Sequence, residues 1–108
     1  LHYEKIAYGS VLKFLPTNII GMIYASLGEL CLLQKNFRLA LMNMEIAIAV
    51  ELLRQHGPNK KQLAQYYHIV GEIHAGLKDK NQALTYYDLS FELVKDVYPR
   101  NHPFIAKC

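Results

Sequence analysis

Apolar residues along this chain recur at intervals of three and four. The clearest runs are Ile20, Ile23, Tyr24, Leu27, Leu30 and Cys31, and then Leu63, Tyr66, Tyr67, Val70 and Ile73. Such spacing lays an apolar stripe along one face of an α-helix, and the strict alternation that marks a half-buried strand is absent. Proline and glycine interrupt the pattern at Pro16, at Gly57-Pro58, and at Pro99 with Pro103. These breaks cut the chain into helical lengths. The pattern predicts helices over 3–14, 18–33, 37–55, 61–77 and 81–98, and another running from His102 off the end. Thr17 or Asn18, Asn36, Asn59, Asp79 and Asn101 are suitable N-caps, because each has a short polar side chain that can accept from the first free amides. The turns after Leu33 and Leu77 are short, so each flanking pair of helices is expected to form an antiparallel hairpin. The predicted fold class is all-α.

The second half of the chain repeats the first. At an offset of 43 residues Tyr24 falls on Tyr67, Gly28 on Gly71, Glu29 on Glu72, Lys35 on Lys78, Ala40 on Ala83 and Leu41 on Leu84. The proline breaks recur at nearly the same interval, and the pairs Ile20-Gly21, Leu63-Ala64 and Ile105-Ala106 recur with them. Matches at small residues carry the most weight. A mid-helix glycine costs roughly 0.5–1 kcal/mol relative to alanine, a cost that makes sense where a crossing helix leaves no room for a Cβ. Gly28 and Gly71 are therefore expected to be equivalent contact points, with Ala40 and Ala83 on the facing helices.

This pattern resembles the tetratricopeptide repeat, whose signature runs aromatic-x-x-Leu-Gly-x-x-Tyr, then Ala-x-x-x-Phe, then Pro. The first copy reads Tyr24-x-x-Leu27-Gly28-x-x-Cys31, then Ala40-x-x-x-Met44, then Ala47; the second reads Tyr67-x-x-Val70-Gly71-x-x-His74, then Ala83-x-x-x-Tyr87, then Ser90. The usual unit has about 34 residues. The longer unit here is similar to the kinesin light chain class, and residues 57–64 and 101–106 resemble the linker of that class. Cys31 and His74 depart from the expected aromatic, and Lys80 stands where the first copy has Phe37.

The resemblance implies an α-α superhelix (solenoid) of stacked antiparallel hairpins over 1–108. Residues 1–16 would be the last helix of a preceding repeat, 17–58 and 59–100 two repeats, and 101–108 the start of a further one, as in a fragment of a longer array. Terminal repeats normally carry polar caps, and neither end of this chain has that character. The first helix of each hairpin would line a concave peptide-binding groove. The positions carried over are Met22, Ala25, Glu29 and Leu32 in the first copy and Gln65, His68, Glu72 and Ala75 in the second. Lysine and asparagine, which relatives use to hold a terminal carboxylate, are missing from this set. A basic and apolar partner segment suits it better; equally, Glu29 and Glu72 are ordinary solvated side chains.

Composition changes this picture little. The 108 residues are 52% hydrophobic and 19% charged, with a net charge of +3 when histidines are neutral. That is too apolar for a disordered chain. The longest apolar stretch, 19–33, is interrupted by Glu29 and falls short of the ~20 residues of a membrane span. Cys31 and Cys108 are too far apart for a disulfide framework or a metal site, which suits a reducing, cytoplasmic setting. Lys35 and Arg38 recur as Lys78 and Lys80 along one edge, and Arg54, Lys60, Lys61, Lys95 and Arg100 gather at the opposite turns. No aromatic residues are interleaved among them to stack bases, so nucleic acid is not an expected partner.

No catalytic residues are identified. His68 and Glu72 lie four apart on one helix face, as metal ligands would, but no further His or Cys joins them at ligand spacing and His74 lies off that face. No phosphate loop, nucleophile elbow or zinc-type cysteine spacing occurs. Neither a cofactor nor a metal is expected. The leading reading is a non-enzymatic protein–protein interaction scaffold. The alternatives are a structural or self-association segment, forming homo-oligomers through its terminal helices, and a helical region of a larger enzyme or transcriptional regulator whose activity lies elsewhere.

Overall fold

The computed structural model describes residues 16–97, and within them the chain forms four helices. These are α1 (Thr17–Leu33), α2 (Phe37–Leu52), α3 (Lys60–Gly76) and α4 (Lys80–Val94). The helices read at 3–14 and from His102 onward, the Asn101 cap and Cys108 lie outside the described residues. The starts follow the expected caps in part. Asn59 and Asp79 accept from the Gln62 and Gln82 amides at 3.1 and 3.2 Å. Asn36 takes the cap position of α2 without a side-chain bond. At α1 the cap is Pro16 rather than Thr17 or Asn18, and its carbonyl accepts from the Ile19 and Ile20 amides.

The two hairpin turns are built alike. After α1 the Asn36 amide donates to the Cys31 carbonyl and the Lys35 amide to that of Leu32; after α3 Asp79 and Lys78 do the same to His74 and Ala75. This paired arrangement is the Schellman motif, in which the residue after the cap turns left-handed. Here that residue is Lys35 at φ 61° and Lys78 at φ 65°, not the usual glycine. The helix α2 ends short of residue 55 because the chain turns back on Glu51, which accepts from Arg54 and from the Asn59 amide.

Inside each hairpin the glycines sit where the repeat placed them. A Cβ on Gly28 would lie 2.7 Å from Met44 Sδ, and one on Gly71 would lie 2.5 Å from the Tyr87 ring. Both glycines are buried, as are Ala40 and Ala83. Ser90, at the position matching Ala47, donates from its hydroxyl to the Ala64 carbonyl at 2.7 Å and ties α4 to α3. The hairpins meet chiefly through α2 and α3. Tyr66, Val70 and Ile73 of α3 join Ala40, Met44 and Ala47 of α2 in one core, and a Cβ on Gly76 would overlap the Phe37 ring.

The helical class and the hairpins are as the sequence predicts, but the α-α superhelix (solenoid) is not. The described helices form a compact four-helix bundle in which α1 and α3, the pair meant to line a concave surface, pack only weakly. The physical reason lies in α3. Its large buried side chains Tyr66, Val70 and Ile73 belong to the core shared with α2, and towards α1 it brings the Tyr66 hydroxyl near Gly21.

Two predictions follow from the helix contacts and the turns. Overpacking costs about 1–3 kcal/mol, against about 1 kcal/mol gained when alanine replaces a helical glycine. Gly71→Ala should therefore lower stability in urea unfolding, and by more than Gly28→Ala, because a phenol ring yields less readily than a thioether. A left-handed lysine carries a strain of about 1–2 kcal/mol. Lys35→Gly and Lys78→Gly should each raise the thermal midpoint, by the equivalent of about 0.5–1 kcal/mol once the entropy of glycine is charged against that relief.

Candidate functional site

Helix α1 has 17 residues and a single charge, Glu29. Its fully buried residues are all small, Gly21, Ala25, Gly28 and Cys31, while Tyr24 and Leu32 lean half-buried on the core. Most of the remaining large apolar side chains are left on other faces. Ile19, Met22, Ile23, Leu27, Leu30 and Leu33 are between 41% and 80% exposed. At a helical pitch these positions form one continuous stripe. The first five, with Ser26, line an open hollow of about 440 Å³. An apolar strip of this kind marks an interaction surface more often than scattered exposed leucines do.

The residues expected to line the groove fall in different surroundings. In α1 Met22 belongs to the exposed stripe, Glu29 is exposed, Ala25 is buried in the core, and Leu32 is half-buried against it. In α3 Gln65, Glu72 and Ala75 are exposed. His68 is half-buried, with its ring 5.1 Å from that of Tyr87 and Nε2 3.6 Å from the Glu72 carboxylate. Ala75 lines a hollow of about 390 Å³ with Lys78, Lys80, Ala83, Leu84 and Tyr87. The matching place in the first hairpin has Leu32 for Ala75 and Phe37 for Lys80.

The apolar spacing put Ile23, Leu27 and Leu30 on one face with Tyr24 and Cys31, whereas the structure leaves those three exposed on a second face. The signal was nonetheless present, since residues 19–33 are apolar nearly all round, and a helix of that kind has a second face to cover.

The buried polar groups are structural. Glu51 is 2% exposed, yet its carboxylate accepts from Arg54 at 2.9 Å and from the Asn59 amide at 2.8 Å, so the charge is paired and hydrogen-bonded. The Tyr66 hydroxyl is buried beside the Gln62 side chain, and burial outweighs that neighbour to push the phenol above its ordinary value of 10.0. Cys31 is a free thiol in the core. Among the described residues no three His, Cys, Asp or Glu side chains gather to hold a metal ion, and no helix is long and apolar enough to cross a membrane.

No family model matches this chain, and no solved structure matches it.

The Tyr66 phenol gives a pH signature. The unfolded chain loses this proton near pH 10, whereas the folded form keeps it to higher pH. Above pH 10 the native state therefore binds more protons, and stability falls as pH rises towards the folded value. Tyr66→Phe should remove this part of the alkaline loss. At pH 7 it should change stability by no more than about 1 kcal/mol, because the neighbouring Gln62 offsets little of the hydroxyl's cost of burial. Urea unfolding of both proteins at pH 7 and above pH 10 measures the difference.

Proposed function

We propose that this chain is a protein-interaction module that receives an amphipathic helix of a partner protein along α1. The supporting observation is the exposed stripe of Ile19, Met22, Ile23, Leu27 and Leu30 on a helix whose fully buried residues are all small. Binding a helix across such a strip relies on anchors at i, i+3, i+4 and i+7, which match this spacing. Glu29, the one charge on α1, favours a basic residue at the edge of the partner helix. The tetratricopeptide resemblance supports the same class of function at the level of the hairpin, through the paired Gly28–Met44 and Gly71–Tyr87 contacts. In this reading the chain is a binding protein rather than an enzyme. It works in the cytoplasm, where a free thiol such as Cys31 stays reduced.

A second reading draws on the same stripe, which would also serve pairing with another copy of the chain. Light scattering across concentration separates the two.

Ile23→Asp and Leu27→Asp alter exposed positions, so the fold should tolerate them within about 0.5 kcal/mol. Helical peptides selected from a displayed library against the intact chain should carry apolar residues at i, i+3, i+4 and i+7. They should bind the two variants at least tenfold more weakly. Unchanged affinity for both variants, with circular dichroism intact, would exclude α1 as the binding surface.

A further inference from the structure

A second candidate surface lies between the hairpins and shares no residue with the α1 stripe. Helix α3 packs against both α2 and α4, while α2 and α4 have little direct contact with each other. The space between them is a groove of about 340 Å³ with α3 as its floor. Val70, 1% exposed, forms the bottom, and Leu52 and Leu89, half exposed, form the two rims. Ala49 keeps one wall low, since nothing larger than a methyl group projects there. The other end is aromatic: the Tyr67 and Tyr86 rings lie 5.9 Å apart, and Tyr86 is held in place by stacking on His74 at 5.4 Å.

Glu45 is the one charged side chain lining this groove, and it makes no ion pair among the described residues. A carboxylate and two phenol rings lining one groove make a good environment for a cation. The ring quadrupoles attract it, and the carboxylate offers it hydrogen-bond acceptors. Guanidinium suits both at once, being planar, weakly hydrated and able to stack while it donates.

We propose that this groove binds a segment of a partner protein in which an arginine is flanked by a small apolar side chain. The arginine lies between Glu45 and the Tyr67–Tyr86 pair, and the apolar side chain covers Val70 between Leu52 and Leu89. This surface is independent of the α1 reading, and either can fail without the other.

The probe is a displayed library of random 12-residue peptides panned on the intact chain carrying Ile23→Asp and Leu27→Asp, which removes the α1 stripe. Enriched sequences should hold one arginine next to an apolar residue. A synthetic peptide of the leading sequence should bind at least tenfold more weakly to Glu45→Lys. Replacing its arginine by glutamate should abolish binding to the parent chain and restore it to Glu45→Lys. Ala49→Arg, which fills the low wall, should block the unaltered peptide. Glu45 and Ala49 are both exposed, so these variants should keep the parent circular dichroism. No basic enrichment, or affinity indifferent to both Glu45→Lys and Ala49→Arg, overturns the proposal. So does concentration-dependent dimerisation that Ala49→Arg abolishes, since the occupant would then be a second copy.

Discussion

Where two helices cross most closely there is room for little or no side chain, and this fold depends on that constraint at two equivalent points. Gly28 lets Met44 reach the backbone of α1, and Gly71 lets the Tyr87 ring reach that of α3. Everything else in each hairpin is adjusted to this approach. Ala40 and Ala83 are small for the same reason, and the turn after each first helix must be tight enough to bring the second helix straight back. Lysines accept a left-handed backbone at those turns because the hairpins require it.

The same constraint decides what faces outward. A helix whose fully buried positions are glycine, alanine and cysteine leaves little inward room for leucine or isoleucine, and only Tyr24 and Leu32 lean on the core from its flanks. On α1 most of the large apolar residues, Ile19, Met22, Ile23, Leu27, Leu30 and Leu33, therefore lie on other faces, where they form the exposed stripe. Helix α3 meets the problem differently: it buries six residues, including Tyr66, Val70 and Ile73, by packing against α2 as well as α4. Among the described residues one helix of the pair is thus left open and its counterpart enclosed, although each carries a glycine at the matching position.

The helices, the short turns and the glycine contacts were legible in the sequence because each follows from local spacing. The 43-residue offset marks Gly28 and Gly71 as equivalent contact points without reference to anything distant, although it set Ala40 and Ala83 opposite them where Met44 and Tyr87 come nearest. How the hairpins stack was not legible in the same way. It depends on contacts such as Phe37 over Gly76 and on which side of α3 meets α2, and neither leaves a periodic mark. The candidate groove residues inherited that gap. Ala25 is in the core and Leu32 leans on it, while Met22 belongs to a stripe on another face of the same helix. Glu51 was equally invisible, since nothing in its neighbourhood distinguishes a solvated glutamate from one that holds a loop.

That glutamate fixes the connection between the hairpins only by its ends. Arg54 and the Asn59 amide are held, whereas residues 55–58 are exposed outside the clamp, with Gly57 in a left-handed conformation and no neighbour within 4 Å of where its Cβ would be. Lengthening a surface loop adds little closure entropy. The tip at His56-Gly57 is consequently a permissive point for insertion, where a tag or fluorophore can be grafted without disturbing how one hairpin sits on the other.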